Sequence, residues 1–138
     1  MQLTKLIAEQ DLKAEYGLTG VRTFPWQGVV APFGSGYCIV APNSETYRHV
    51  NEPSDEEELF IGCQGEAVVR LGDRDIAIKA GDQVYIPRNI VHSIVNQSRD
   101  QAFHFFTVWW NQACVDDYLH ANPANPADAI EPGYAVVE

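Results

Sequence analysis

Between Gly36 and Trp110 the chain alternates short apolar runs with turn-forming residues. The runs YCIVAP, ELFIGC, EAVVRL, DIAIKA, QVYIP, VHSIVN and FHFFTVWW are rich in β-branched and aromatic side chains, and QGE, LGDRD, KAGD and NQSRDQ lie among them as breaks. Short runs of this kind recurring about every ten residues predict strands of an antiparallel sandwich or barrel. The fold class expected is therefore all-β. Two helices are expected outside the strands. Thr4 to Glu15 sets Leu6, Ile7, Leu12 and Ala14 among charges and is followed by Gly17, a C-terminal stop signal, so a short N-terminal helix is predicted. ACVDDYLHA predicts a closing C-terminal helix, and ANPANPADAIEPGYAVVE is too rich in proline for regular structure and reads as an irregular surface tail. TFPWQGVVAPFGSG, from Thr23 to Gly36, reads as a packed loop or an edge strand. No internal repeat is visible, and residues 1–138 are expected to form a single domain.

Composition narrows the class of partner. Nine Lys+Arg against nineteen Asp+Glu give a formal net charge of −10, a field that repels phosphate backbones and anionic membrane surfaces, so nucleic acid and membrane are not expected partners. No run approaches the length of a membrane span. The charged, amphipathic N-terminus is unlike a signal peptide, and a cytoplasmic location is the default expectation. Cys38, Cys63 and Cys114 form no CxxC pair and are expected as buried free thiols.

Two stretches carry candidate chemistry. RHVNEPSDEEELFIGCQGE holds His49, Asn51, five carboxylates from Glu52 to Glu58, and Gly65. GDQVYIPRNIVHSIVN sets Gly81, Pro87, Asn89, His92 and Asn96 at fixed intervals. Strand residues two apart share a face, so Glu58 lies with Phe60 and Gly62, and His92 with Ile94 and Asn96. If both faces line a small barrel, a carboxylate and imidazoles converge in an apolar interior. There a divalent cation offsets the cost of an isolated buried carboxylate. Imidazole with carboxylate suits zinc, iron(II) and related ions, and three protein ligands leave positions open for water or substrate.

These intervals resemble the two motifs of the cupin family over about residues 36–110. The first motif is HxH, then a glutamate, then six residues and a glycine; the second is a glycine, five residues, PxG, two residues, a histidine, three residues and an asparagine. The resemblance implies a jelly-roll barrel, or double-stranded β-helix, and one divalent metal, most readily zinc or iron. It implies His49, Glu58 and His92 as ligands. Where the family has HxH this chain reads His49-Val50-Asn51, and the interval to Glu58 is longer, so Asn51 is at best a neutral oxygen ligand. His104 is an additional candidate, grouped by alternation with Phe106, Val108 and Trp110, and Glu57 replaces Glu58 if the strand register is shifted by one. Glu57 and Tyr85 are candidates for proton transfer. Tyr37, Phe60, Tyr85, Phe106 and Trp110 are expected to line the cavity, and Arg48, Arg70 or Arg88 to clamp a substrate carboxylate.

A narrower likeness rests on FPWQGVVAPFGSGYCIV, ELFIGCQGEA and FTVWWN. These resemble the small cupin domain of hydrazine-forming enzymes of bacterial secondary metabolism, which with zinc turns an amino-acyl ester of an N-hydroxylated amine into an N–N bonded product. Here that implies a separate synthetase-like partner protein. The set His49, Glu58, His92 is also similar to that of 3-hydroxyanthranilate dioxygenases, implying an Fe(II)-dependent dioxygenase of a small aromatic or thiol substrate. A non-catalytic small-molecule binding cupin is the third reading, supported by the missing second histidine. Cupins often pair their barrels, so a homodimer is expected.

Overall fold

A computed structural model describes residues 4–26 and 28–122 of the chain. Ten strands and one α-helix follow in order: β1 Lys13–Glu15, β2 Leu18–Phe24, β3 Gly34–Val40, β4 Ser44–Glu45, β5 Glu57–Gln64, β6 Glu66–Leu71, β7 Arg74–Lys79, β8 Gln83–Ile86, β9 His92–Asn96, β10 Phe103–Trp110 and α1 Gln112–Ala121. The strands form a six-stranded sheet ordered β1-β2-β3-β10-β5-β8 and a four-stranded sheet ordered β4-β9-β6-β7. All pairings are antiparallel. This is the jelly-roll architecture expected from the seven apolar runs, each of which supplies a strand.

Burial alternates along β5, where Glu58, Phe60 and Gly62 face inward, and along β10, where Phe103, Phe105 and Thr107 do. Val40, Phe60, Phe103 and Phe105 from one sheet meet Val69, Ile78 and Ile94 from the other in one core cluster. Phe60 packs edge-on against Phe105 at 5.1 Å, and Phe105 stacks on Phe103 at 5.5 Å between centroids. The second motif carries much of the local frame. Gly81, at φ +91°, turns into β8, Pro87 follows its last residue, and Asn89 takes φ +57°. Asn96 is buried, donating to the carbonyls of Val40 and Gln101 at 3.1 and 2.8 Å and accepting from the Ser98 amide at 3.0 Å. Its side chain thus stands in for backbone partners across the gap between the two sheets.

The N-terminal helix expected over Thr4–Glu15 contracts to one 3-10 turn, Glu9–Asp11, and Lys13–Glu15 pairs with β2 instead. Leu6 is 87 % exposed, so the segment has no apolar stripe to dock. A helix of that length without such a face is marginal, whereas the strand gains ladder hydrogen bonds. Gly17 is accordingly a hairpin residue rather than a helix stop. Tyr16 at φ +52° and Gly17 at φ +79° form the two-residue turn that matches strand twist. The closing helix is present as α1, with the Asn111 side chain accepting from the Cys114 amide at 2.9 Å. The proline-rich tail from residue 123 onward lies outside the described residues. No helix among the described residues is long and apolar enough to cross a membrane.

Candidate active site

A cavity of about 440 Å³ opens between the two sheets, within the range of small-molecule sites. His49, Asn51, Glu58, His92 and Thr107 line it together with Phe60 and Phe105. His49 and His92 are neighbours through an isolated antiparallel bridge, with amide-to-carbonyl bonds of 3.2 and 3.0 Å. Their rings lie 4.6 Å apart. A carbonyl oxygen can only accept, so His49 Nδ1, 3.0 Å from the Tyr47 carbonyl, and His92 Nδ1, 3.1 Å from that of Ile90, both carry the proton. In the neutral rings each Nε2 therefore has a free lone pair. His92 Nε2 is buried, has no hydrogen-bond partner, and lies 3.7 Å from Glu58 Oε1. Burial holds the His92 imidazole below its ordinary pKa, against the raising effects of the Ile90 bond and the Glu58 charge. Its neutral, ligand-competent form is thereby favoured.

Glu58 is buried, and both carboxylate oxygens accept hydrogen bonds: Oε1 from Asn51 Nδ2 at 2.9 Å and Oε2 from the Thr107 hydroxyl. Asn51, at the position of the second histidine of HxH, thus acts on the carboxylate as a donor. The donor set of two imidazole nitrogens and a carboxylate fits a divalent cation chemically, and the orphaned His92 nitrogen is the kind of atom such an ion would satisfy. As they stand, no three or more His, Cys, Asp or Glu side chains among the described residues are grouped closely enough to hold a metal ion.

Several expected residues stand elsewhere. His104 faces away from the cavity and bonds through Nδ1 with the Tyr37 hydroxyl, because Phe103, Phe105 and Thr107 take the inner face of β10. Tyr37, Phe106, Tyr85 and Trp110 share that outer side, so of the five aromatics expected to line the cavity only Phe60 does. Glu57 is one residue out of phase with Glu58 and accepts from the Tyr85 hydroxyl and, at 3.3 Å, from Arg88. Neither Glu57 nor Tyr85 can move a proton in the cavity from that face. Arg48 and Arg70 bond Glu45 at 3.3 and 3.2 Å and do not line the cavity either. Arg22 does, and the sequence reading passed over it because LTGVRTF did not stand out as a strand. The signal available was the alternation of Leu18, Gly20 and Arg22, all three of which face the cavity.

The acidic stretch is tied to the start of α1. Asp55 accepts from the Gln112 amide at 2.8 Å at the start of α1, and Glu56 accepts from Asn111 Nδ2 at 3.3 Å. Burial and then the Glu58 charge push the Glu56 carboxyl up to about 7, although the Asn111 bond and Arg22 pull it down. Burial, followed by the Glu58 and Glu15 charges, pushes the cavity-lining Cys38 thiol up to about 12, which leaves it inert as a nucleophile. Of the three thiols expected to be buried, only Cys38 is: Cys63, at the end of β5, is exposed and Cys114 is half-buried.

The sequence matches the family described as Cupin domain over residues 26–109. Among solved structures, the plu4264 protein of Photorhabdus luminescens is 35 % identical with a TM-score of 0.80, over 87 % of this chain and 97 % of that one. A Cupin 2 conserved barrel domain protein of Salinispora arenicola CNS-205 is 30 % identical with a TM-score of 0.78, over 88 % and 99 %. A predicted oxalate decarboxylase of Thermotoga maritima, 21 % identical over 67 % and 79 % with a TM-score of 0.58, shares the fold alone. No curated protein matches the chain.

Proposed function

The chain belongs to the cupin family, and from that membership and the donors facing its cavity we propose that it is an enzyme acting on a small molecule with one divalent cation at His49, Glu58 and His92. The observation that carries this is the buried, unpartnered His92 Nε2 set 3.7 Å from a buried carboxylate. An orphaned nitrogen in such a position is costly unless a ligand satisfies it. When bound, zinc would polarise a carbonyl or ester, and iron(II) would supply oxygen chemistry.

The chain's own residues prepare the site. The Tyr47 and Ile90 carbonyls fix the two imidazole tautomers, as outer partners of metal-binding histidines do. Asn51 and Thr107 orient the Glu58 carboxylate. Phe60, Phe105 and Leu18 give the cavity an apolar wall that excludes water from the bound substrate. Within this reading zinc favours conversion of an amino-acyl ester of an N-hydroxylated amine into an N–N bonded product, supplied by a separate synthetase-like protein. Iron favours dioxygenation of a small aromatic or thiol substrate. A non-catalytic binding cupin is the second reading, favoured by the hydrogen bonds that already occupy both Glu58 oxygens. Elemental analysis of the chain purified without added metal separates the three: about one equivalent of zinc or of iron is expected for the enzymes. No metal, and none taken up on reconstitution, would sink both.

We further propose a cytoplasmic location and a homodimer. Tyr37, Ile39, Leu59, Ile61, Phe106 and Val108 stand partly buried on the outer face of the six-stranded sheet. An apolar sheet face of this kind supports pairing with a second copy. Sedimentation equilibrium is expected to give twice the mass of the 15.4 kDa chain, and Phe106→Glu to give the monomer. A monomeric wild type would contradict the pairing.

A further inference from the structure

Arg22 is the one lysine or arginine that lines the cavity among the described residues, against four glutamates, Glu15, Glu52, Glu56 and Glu58. Its position is prepared by packing. A Cβ at Gly34 would fall 2.3 Å from Trp109 Cε2, so Gly34 leaves the space in which the indole lies against β3. The Arg22 guanidinium rests over that indole, 5.0 Å from the ring centroid. The stacking holds the planar fork in one orientation while leaving its edge free for hydrogen bonds. One edge nitrogen is engaged, by Glu15 Oε1 at 2.5 Å. That pair is open to water, with 59 % and 38 % of the two side chains exposed, and an exposed pair of this kind is weak.

We propose that Arg22 is the specificity residue of the cavity and that the substrate is a small monocarboxylate with an apolar body. The carboxylate replaces Glu15 on the guanidinium and the body lies between Leu18, Phe60 and Phe105, toward His49 and His92. A bidentate bond to the arginine fork supplies the recognition. The four lining glutamates disfavour a second anionic group, and with it a phosphate dianion. The inference rests on the cavity as the substrate site and not on the identity or presence of a cation there.

The test uses metal-free chain and 3-phenylpropionate, 3-phenylpropionamide and inorganic phosphate as probes, read by NMR shifts of the Arg22 Nε–H and Trp109 indole N–H signals. The carboxylate is expected to bind about 10- to 100-fold more tightly than the amide, and phosphate not to compete. Arg22→Gln is expected to abolish that difference with the fold retained by circular dichroism, and Arg22→Lys to keep only part of it. Glu15→Gln, which removes the competing carboxylate, should tighten the acid about threefold and leave the amide unchanged. Equal binding of acid and amide, equal or tighter binding of phosphate, no binding of the acid up to its solubility limit, or an unchanged preference in Arg22→Gln would overturn the proposal. Each of those results leaves the cation reading standing, because it is obtained without metal. A loss of metal uptake in elemental analysis leaves the Arg22 result standing in turn.

Discussion

His92→Ala will lose divalent cation binding by more than about 100-fold, since removing even an outer partner of a ligating histidine costs about 10- to 100-fold. The ring supplies the buried lone pair at the cavity, and the neighbouring His49 imidazole, 4.6 Å away, is already used as another of the three proposed ligands. The metal-free variant should stay folded, because the imidazole lines the cavity and meets the core through an edge contact with Phe60 at 6.0 Å, while the aliphatic and phenylalanine cluster behind it is left intact. Competition with a chromogenic chelator measures the affinity, and circular dichroism checks the fold. Wild-type affinity in a folded His92→Ala would remove the residue from the site. His49→Ala is the companion variant. Its ring is stacked against Tyr16 at 4.9 Å, and its loss should weaken the cation in the same direction.

Phe103→Ala will cost about 3–5 kcal/mol of stability, the range for emptying a large aromatic site in a closed core. Phe103 is 0 % exposed, stacks on Phe105 and sits in β10 between β3 and β5, so both flanking strands hold their spacing and the void cannot collapse. Domains of this size have about 5–15 kcal/mol in total. The melting temperature is therefore expected to fall by about 10–20 °C. Calorimetry or urea unfolding reads the change. A loss under about 1 kcal/mol would mean that the two sheets close over the gap.

Much of the fold was legible because strand length, turn residues and β-branched content act locally. FHFFTVWW occupies the whole of β10, and Gly81, Pro87 and Asn96 do what their types do anywhere: turn, end a strand, tie a side chain to backbone. The facing of β10 was not legible, because both of its faces are apolar. Phe103 and Phe105 alternate with Phe106 and Val108, so hydrophobicity gave no reason to place His104 outside and Thr107 inside. Thr107, which bonds Glu58, and Arg22, which lines the cavity, come from strands distant in sequence whose contribution depends on register. Asn51 was visible as a departure from HxH, while its use as a hydrogen-bond donor to Glu58 needed the tertiary contact. The N-terminal segment was misread for a different reason. Three-residue strands carry almost no periodic signal, and what selects β1 is the neighbouring edge of β2.

Anomalous diffraction at the zinc absorption edge, from crystals grown with zinc and from a second set grown with a chelator, shows whether His49, Glu58 and His92 hold the cation. One peak is expected in the zinc crystals, bounded by His49, Glu58 and His92 and absent with the chelator, with the His92 Nε2 atom no longer without a partner. Zinc bound only elsewhere, at His104 or on the acidic loop, with those three side chains in their metal-free arrangement, would contradict it.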